Sequence, residues 1–477
     1  MTRLVQFISL AFAALGFAMP AAALEASDLE GQWYGSGMIA SAGEPILWDL
    51  ILLIDADGVP SGTSNRYRQD GTWEVEDISP GAESLVLNIG TGKVRGSFVV
   101  GAGTPVDLTG FQMNSGADLI SGANATEDAA AAPSILTFVK RGSDYQDANL
   151  EGTWWLYGFY EDFGAGSESA GSILGTLSVD SDAIIQSGSL TYAGQPTPVE
   201  IPAGTSLELS GNGAIRVDFQ TAETNLSEAI DDTTTAVGVD STSGFTVGDY
   251  VGVGEEFMKI DAIPVGSTSF TVVRGQLGTA ATGHADAASV SRADPLGGDL
   301  YWRLAGGKTL MIGNSIGWET DGRNRHRLFQ WVKSEPGALP VDLAGDWSIA
   351  QFEDVSDASD ASAAKGELAI DETGSAVTGG SLVFNDATSV TVSGGGIGTT
   401  ATASVFEIPN LGYEGTADES RVDLALSPDE GVFFGVSSTT GDLSGLLVGV
   451  PEPAARLLGV GSLFVIAALR RRSRPRG

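Results

Sequence analysis

Gly313-Asn314-Ser315-Ile316-Gly317 has the Gly-x-Ser-x-Gly spacing of a nucleophile elbow, and Asp321 and His326 follow it. A serine, an acid and a histidine in that order could carry out acyl transfer, the histidine taking the proton of the serine hydroxyl. An elbow needs a helix behind it, however, and Trp318-Glu319-Thr320-Asp321-Gly322 reads as a turn. Hydrolase triads also draw their members from separate loops, so a β-hairpin is the expected structure here and no catalytic residue is assigned. Asp55-Ala56-Asp57-Gly58 opens like a calcium loop but lacks the later oxygen ligands and the bidentate Glu, which leaves a solvated Asp turn. Glu255-Glu256 reads as an exposed turn pair and His284 as a structural side chain. No metal or cofactor site is expected.

Composition narrows the remaining chemistry. The 477 residues carry 25 Lys and Arg against 61 Asp and Glu, a net charge of −36, which opposes nucleic-acid binding. There is no cysteine, hence no disulfide and no thiol chemistry, and two histidines are too few for a His-rich zinc centre. At 42% hydrophobic residues the chain can build packed cores, and its length suits about three domains.

The elements that would position these residues come as a repeat. Leu29-Glu30-Gly31-Gln32-Trp33 recurs as Leu150-Glu151-Gly152-Thr153-Trp154 and as Leu343-Ala344-Gly345-Asp346-Trp347. The tryptophans are 121 and then 193 residues apart, so an insertion of roughly seventy residues in the second unit restores a common period. Gly90-Thr91-Gly92-Lys93-Val94-Arg95 aligns with Gly211-Asn212-Gly213-Ala214-Ile215-Arg216, and Phe138-Val139-Lys140 with Trp331-Val332-Lys333. Asp55, Asp180 and Asp371 each follow a short apolar run, as expected where a strand enters a turn. Period-two alternation and turn residues predict an all-β fold of three antiparallel units, either barrels or sandwiches, with helices only at the termini. The expected boundaries are 24–145, 146–340 with an insert at 224–293, and 341–449.

The ends read as addresses. Arg3, the apolar run to Met19 and Ala21-Ala22-Ala23 form a secretory signal peptide over residues 1–23, to be removed by signal peptidase. Residues 450–477 contain Pro451-Glu452-Pro453, a short apolar span from Leu457 to Leu469, and five arginines. That order resembles the PEP-CTERM sorting signal. The resemblance implies an exosortase substrate on the surface of a Gram-negative bacterium, anchored transiently in the membrane and associated with exopolysaccharide.

Gly31-x-Trp33, Gly152-x-Trp154 and Gly345-x-Trp347, each at the head of a meander, resemble the lipocalin and broader calycin pattern. In that family the tryptophan closes one end of an eight-stranded barrel beneath a basic residue, and Arg95, Arg216, Lys140 or Lys333 could fill that role. The insert, with Ser243-Gly244-Phe245-Thr246-Val247-Gly248-Asp249-Tyr250-Val251, resembles a small β-module of phage tail proteins, which implies structural or adhesive use. The expected function is that of a secreted matrix protein with a structural or adhesive role in a biofilm. The alternative is a lipocalin-like carrier of a small apolar ligand.

Overall fold

The computed structural model describes residues 24–451 apart from short internal stretches, the longest being 125–133. The expected signal peptide (1–23), Glu452, Pro453 and the C-terminal anchor lie outside the described residues, as does Asp321. Among the described residues every regular element is a strand except three single 3-10 turns, Ala26–Leu29, Asp147–Asn149 and Pro340–Leu343.

Three of the four sheets are antiparallel meanders whose last strand returns to pair with the first. In the first sheet strand Gly31–Ser41 lies between Glu44–Ile54 and Ser134–Lys140. The ring continues through Pro60–Tyr67 and Trp73–Pro80 to Ser97–Val100, and back through Phe111–Met113 and Leu119–Asn124. Strands Lys93–Arg95 and Ser97–Val100 run on from one another at Gly96, which joins the two halves of the ring. In the second sheet Gly152–Phe163 pairs with both Ser169–Val179 and Asn324–Lys333, and a bridge between Ile184 and Ser206 links the far strands. In the third, Gly345–Asp354 pairs with Ser362–Ile370 and Ser444–Pro451, and Ser389–Gly396 meets Val405–Tyr413 to close the ring. Curling of this kind leaves few strand edges exposed, and in the third sheet the additional pairing joins the two arms. The pairings therefore describe curled, barrel-like sheets.

Side chains alternate across each strand, and here both faces are used. Along Glu44–Ile54, Trp48, Leu50 and Leu52 point into the first barrel, while Leu47 points out. Many of the outward residues do not meet water, although Leu53 near the end of the same strand is half exposed. Tyr34, Met38 and Leu47 of the first barrel, Tyr157, Phe159 and Leu328 of the second, and Phe352, Phe434 and Val448 of the third belong to one buried cluster. Phe159 and Phe352 meet edge to face there, with ring centroids 5.4 Å apart. The three barrels thus stand side by side around a shared apolar seam.

Polar groups cross the seam in pairs. Asn314 Nδ2 donates to the Trp48 carbonyl at 2.8 Å and its Oδ1 bonds the Ser36 hydroxyl, while Gln330 Nε2 donates to Thr137 Oγ1 at 2.9 Å. Asp49 is buried in the same region. Burial raises its carboxyl above the ordinary value despite Arg303 and a hydrogen bond from Asn65.

The fourth sheet has six strands between Glu223–Asn225 and Ser289–Ala293, in the order that places Tyr250–Val253 and Glu256–Ala262 at its centre. It leaves the second barrel after strand Ala214–Asp218 and returns before Asp299–Leu304. Leu226, Phe245, Val251, Ile260, Phe270 and Val290 form its own core.

Candidate functional site

Each barrel is sealed at one end by the same small construction. A 3-10 turn leads into the first strand, and the tryptophan that is the third residue of that strand folds back so that its indole N–H reaches the turn. Trp33 Nε1 donates to the Leu29 carbonyl at 2.8 Å, Trp154 to Leu150 at 2.8 Å and Trp347 to Leu343 at 2.7 Å. All three rings are buried, so this bond satisfies the one donor that burial would otherwise strand. The preceding glycines have φ of +123° at Gly31, +129° at Gly152 and +125° at Gly345, a region where a side chain would be strained.

Register decides which cation covers the indole. Trp33 pairs with Lys140 and Trp154 with Lys333 on the closing strand. Lys140 Nζ stands 5.4 Å from the Trp33 ring centre and donates to the Asp28 carbonyl at 2.6 Å. Lys333 Nζ stands 5.5 Å from Trp154 and donates to the Asn149 carbonyl at 3.1 Å. Burial lowers the Lys140 ammonium from its ordinary value against the pull of Asp28, Asp118 and Glu30. Of the four candidates, the two lysines take the place over the ring; Arg95 and Arg216 are exposed. In the third barrel the residue opposite Trp347 is Pro451, so the first proline of the Pro451-Glu452-Pro453 triplet is also the end of the closing strand.

Among the described residues, aromatic rings crowd the interiors behind these plugs. Trp302, Trp331 and Phe329 crowd the second barrel, with Trp302 and Trp331 5.2 Å apart. Phe98, Phe111 and Phe138 do the same in the first. Several inward glycines make room for these rings: a Cβ on Gly35 would lie 2.6 Å from the Phe138 ring, and one on Gly449 would lie 2.2 Å from Phe433. Inside the third barrel a cavity of about 20 Å³, lined by Leu368, Ile408, Leu424 and Phe433 among others, is no larger than a water needs.

The elbow-like residues are not brought together. Ser315 and Arg327 sit opposite each other on adjacent strands, and Arg327 Nη1 donates to Ser315 Oγ at 3.3 Å. His326, one residue earlier, points to the other face of the sheet, because successive side chains on a strand alternate. Ser315 and His326 are both fully buried, and Ser315 lies on a strand paired antiparallel with the one that carries His326. Asp55 Oδ1 accepts the backbone N–H of Asp57 at 2.9 Å and of Val59 at 2.8 Å, so it closes its own turn.

One reading of the sequence is corrected. Glu256 is not an exposed turn residue; it is fully buried in the inserted sheet. Arg274 grips it with two bonds of 2.6 Å, Nε to Oε1 and Nη2 to Oε2. His284 Nε2 lies 2.9 Å from Oε2, and the backbone N–H groups of Gly275 and Thr282 each donate at 3.0 Å. Burial pushes the carboxyl up, but these donors outweigh it and hold it at about 2. An acid-rich turn motif gives no sign of this in sequence, since its partners come from 18 to 28 residues away.

The fold and the sealed sites define a class: an all-β protein of curled, barrel-like antiparallel sheets, each plugged by a tryptophan. The chain matches no known family profile and no curated protein sequence. Among solved structures it is similar to a DUF3598-family protein of unknown function from Nostoc punctiforme, at 11% identity over 65% of this chain and 99% of that one, TM-score 0.20. It is also similar to Transferrin Binding Protein B from Haemophilus parasuis, at 8% identity over 70% and 83%, TM-score 0.23. The Neisseria meningitidis isotype 1 protein of that name gives 10% over 70% and 85%, TM-score 0.20. Superpositions this loose carry no argument about binding, and the barrel description rests on the strand pairings.

Proposed function

We propose that this chain is a secreted, exosortase-sorted surface protein of a Gram-negative bacterium, built from three copies of one barrel unit and serving a structural or adhesive role in an extracellular matrix. The observation that supports it best is the crowding of aromatic rings inside the barrels. A carrier of apolar ligands keeps its barrel hollow and its mouth open. Here tryptophans plug one end, aromatic rings fill the middle, and part of each outer face packs against the neighbouring units. Such a unit resists deformation and exposes a polar, acidic outer surface, which suits a spacer or scaffold in a hydrated matrix. The sequence signals at both ends supply the address: removal of residues 1–23, recognition of Pro451-Glu452-Pro453, and transient membrane anchoring before sorting.

Intact-mass spectrometry of the protein purified from its producing organism, combined with organic-solvent extraction, tests both parts. The expected product begins at Leu24, lacks the arginine-rich tail, and releases no apolar molecule in stoichiometric amount. A retained tail would overturn the sorting reading. An extracted apolar ligand at one per chain would replace the scaffold with the carrier.

A further inference from the structure

A cleft of about 390 Å³ lies where the first and third barrels meet, within the roughly 300–1,000 Å³ range of small-molecule sites. The first barrel contributes Lys93 and Arg95 from one short strand, and the third contributes Lys365 and Glu367 from strand Ser362–Ile370. Lys93 and Glu367 face each other across it at 3.5 Å. Among the described residues neither Arg95 nor Lys365 lies within ion-pair distance of a carboxylate. In a chain whose acids outnumber its bases 61 to 25, three cations against one carboxylate in a single concavity is a reversal of the local sign. The geometry also holds Lys365 in place: Gly110 has φ of +100°, and the position of a Cβ there would be 2.9 Å from Lys365 Cδ. The bare loop of one barrel thus receives the stem of a lysine from the other.

We propose that this cleft binds a compact organic polyanion of the di- or tricarboxylate class, gripped by Arg95 on one barrel and Lys365 on the other. The cations favour several negative groups a few ångströms apart. Guanidinium and ammonium donors form their strongest hydrogen bonds with ionised oxygens, and arginine matches a carboxylate with two parallel N–H groups. The acidic exterior selects for compactness. A long polyanion would run out of the cleft onto a surface of its own sign within a Debye length of about 8–10 Å, whereas a small one stays enclosed. The wall residues Ile349 and Val448 leave a strip of apolar surface for the carbon skeleton. A ligand held from both sides would also tie the first barrel to the third, so binding raises the unfolding temperature. The proposal stands independently of how the chain is sorted.

Citrate is the probe, titrated calorimetrically into the full chain in metal-free buffer at 150 mM NaCl, with acetate and inorganic phosphate as comparisons. One saturable citrate per chain is expected, with acetate inert and phosphate weaker. Arg95→Gln and Lys365→Gln should each weaken citrate by about tenfold, a typical consequence of deleting one charge-assisted contact. Arg216→Gln, the same charge change at an exposed position of the second barrel, should leave the affinity within about twofold. Absence of saturable citrate binding overturns the site, as does equal weakening by Arg216→Gln, which would mean diffuse electrostatics. Phosphate binding as tightly as citrate overturns the carboxylate class. Thermal scans of each variant, with and without citrate, separate lost contacts from lost folding: a cleft variant that melts like the parent chain but has lost the citrate-induced rise supports the site.

Discussion

At the scale of single residues the indole bond and the Glu256 cluster show how buried polar groups are kept satisfied. Trp33, Trp154 and Trp347 donate to a carbonyl four residues back, so the plug is largely local and travels with its sequence motif. Glu256 is the opposite case, held by Arg274, His284 and two backbone donors drawn from separate segments of the insert. Glu256→Gln removes the charge but leaves Arg274 buried, which should cost the inserted sheet roughly 3 kcal/mol near neutral pH, a typical figure for breaking a buried pair. The pH dependence follows from the lowered carboxyl. Its contribution is complete above the ordinary value near 4.5 and is lost as the pH falls through about 2. Urea titrations at pH 7 and pH 2.5, read by pulse-labelled hydrogen exchange in the strand Ser269–Gln276, should show a large difference between the two proteins at pH 7 and a small one at pH 2.5. An equal difference at both pH values would remove the charge from the explanation.

At the scale of elements the recurring device is the Asp turn between the second and third strands of each barrel. Asp55, Asp180 and Asp371 each accept backbone N–H groups from the turn they open, and Gly58, Ala183 and Gly374 follow at positive φ. Hydrogen bonds from Ser375 hold the Asp371 carboxyl below the usual range. Gly58 carries a second demand, because a Cβ there would lie 2.1 Å from the Leu85 carbonyl oxygen. Gly204 has a similar φ of +88° with nothing within 4 Å. Gly204→Ala should therefore cost only the conformational strain of about 1–2 kcal/mol, and Gly58→Ala clearly more, because the backbone must also move. Chemical-denaturation midpoints of the two variants check the ordering, and equal costs would show that the turn yields freely. The three Asp positions were legible in sequence because Asx-turn chemistry is local. The clash at Leu85 was not, since it depends on the carbonyl of a residue well further along the chain, just before the strand Val86–Leu87.

At the scale of the whole molecule the barrels are stable as a group rather than as beads. The strands that meet at the seam bury both faces, which is why Glu44–Ile54 and Ser134–Lys140 read as almost continuous apolar runs instead of clean alternation. Opposing this cohesion is the net charge of −36. Raising NaCl from 10 to 200 mM shortens the screening length from about 30 Å to under 10 Å and relieves that repulsion. The unfolding temperature in differential scanning calorimetry should rise, by roughly 2–4 °C for each kcal/mol relieved. A fall would mean that ion pairs outweigh repulsion.

Local chemistry carried the sequence a long way. The Gly-x-Trp heads and the Asp turns depend on residues within a few positions of one another, and spacing alone placed them. The choice of lysine over arginine as the indole's cover needed the register Trp33 to Lys140, a property of the paired strands. The seam around Phe159 and Phe352 and the cleft shared by Arg95 and Lys365 belong to tertiary structure alone. An outward apolar residue or an unpaired cation announces that it needs a partner. Only the packing of one closed barrel against another decides which partner it finds.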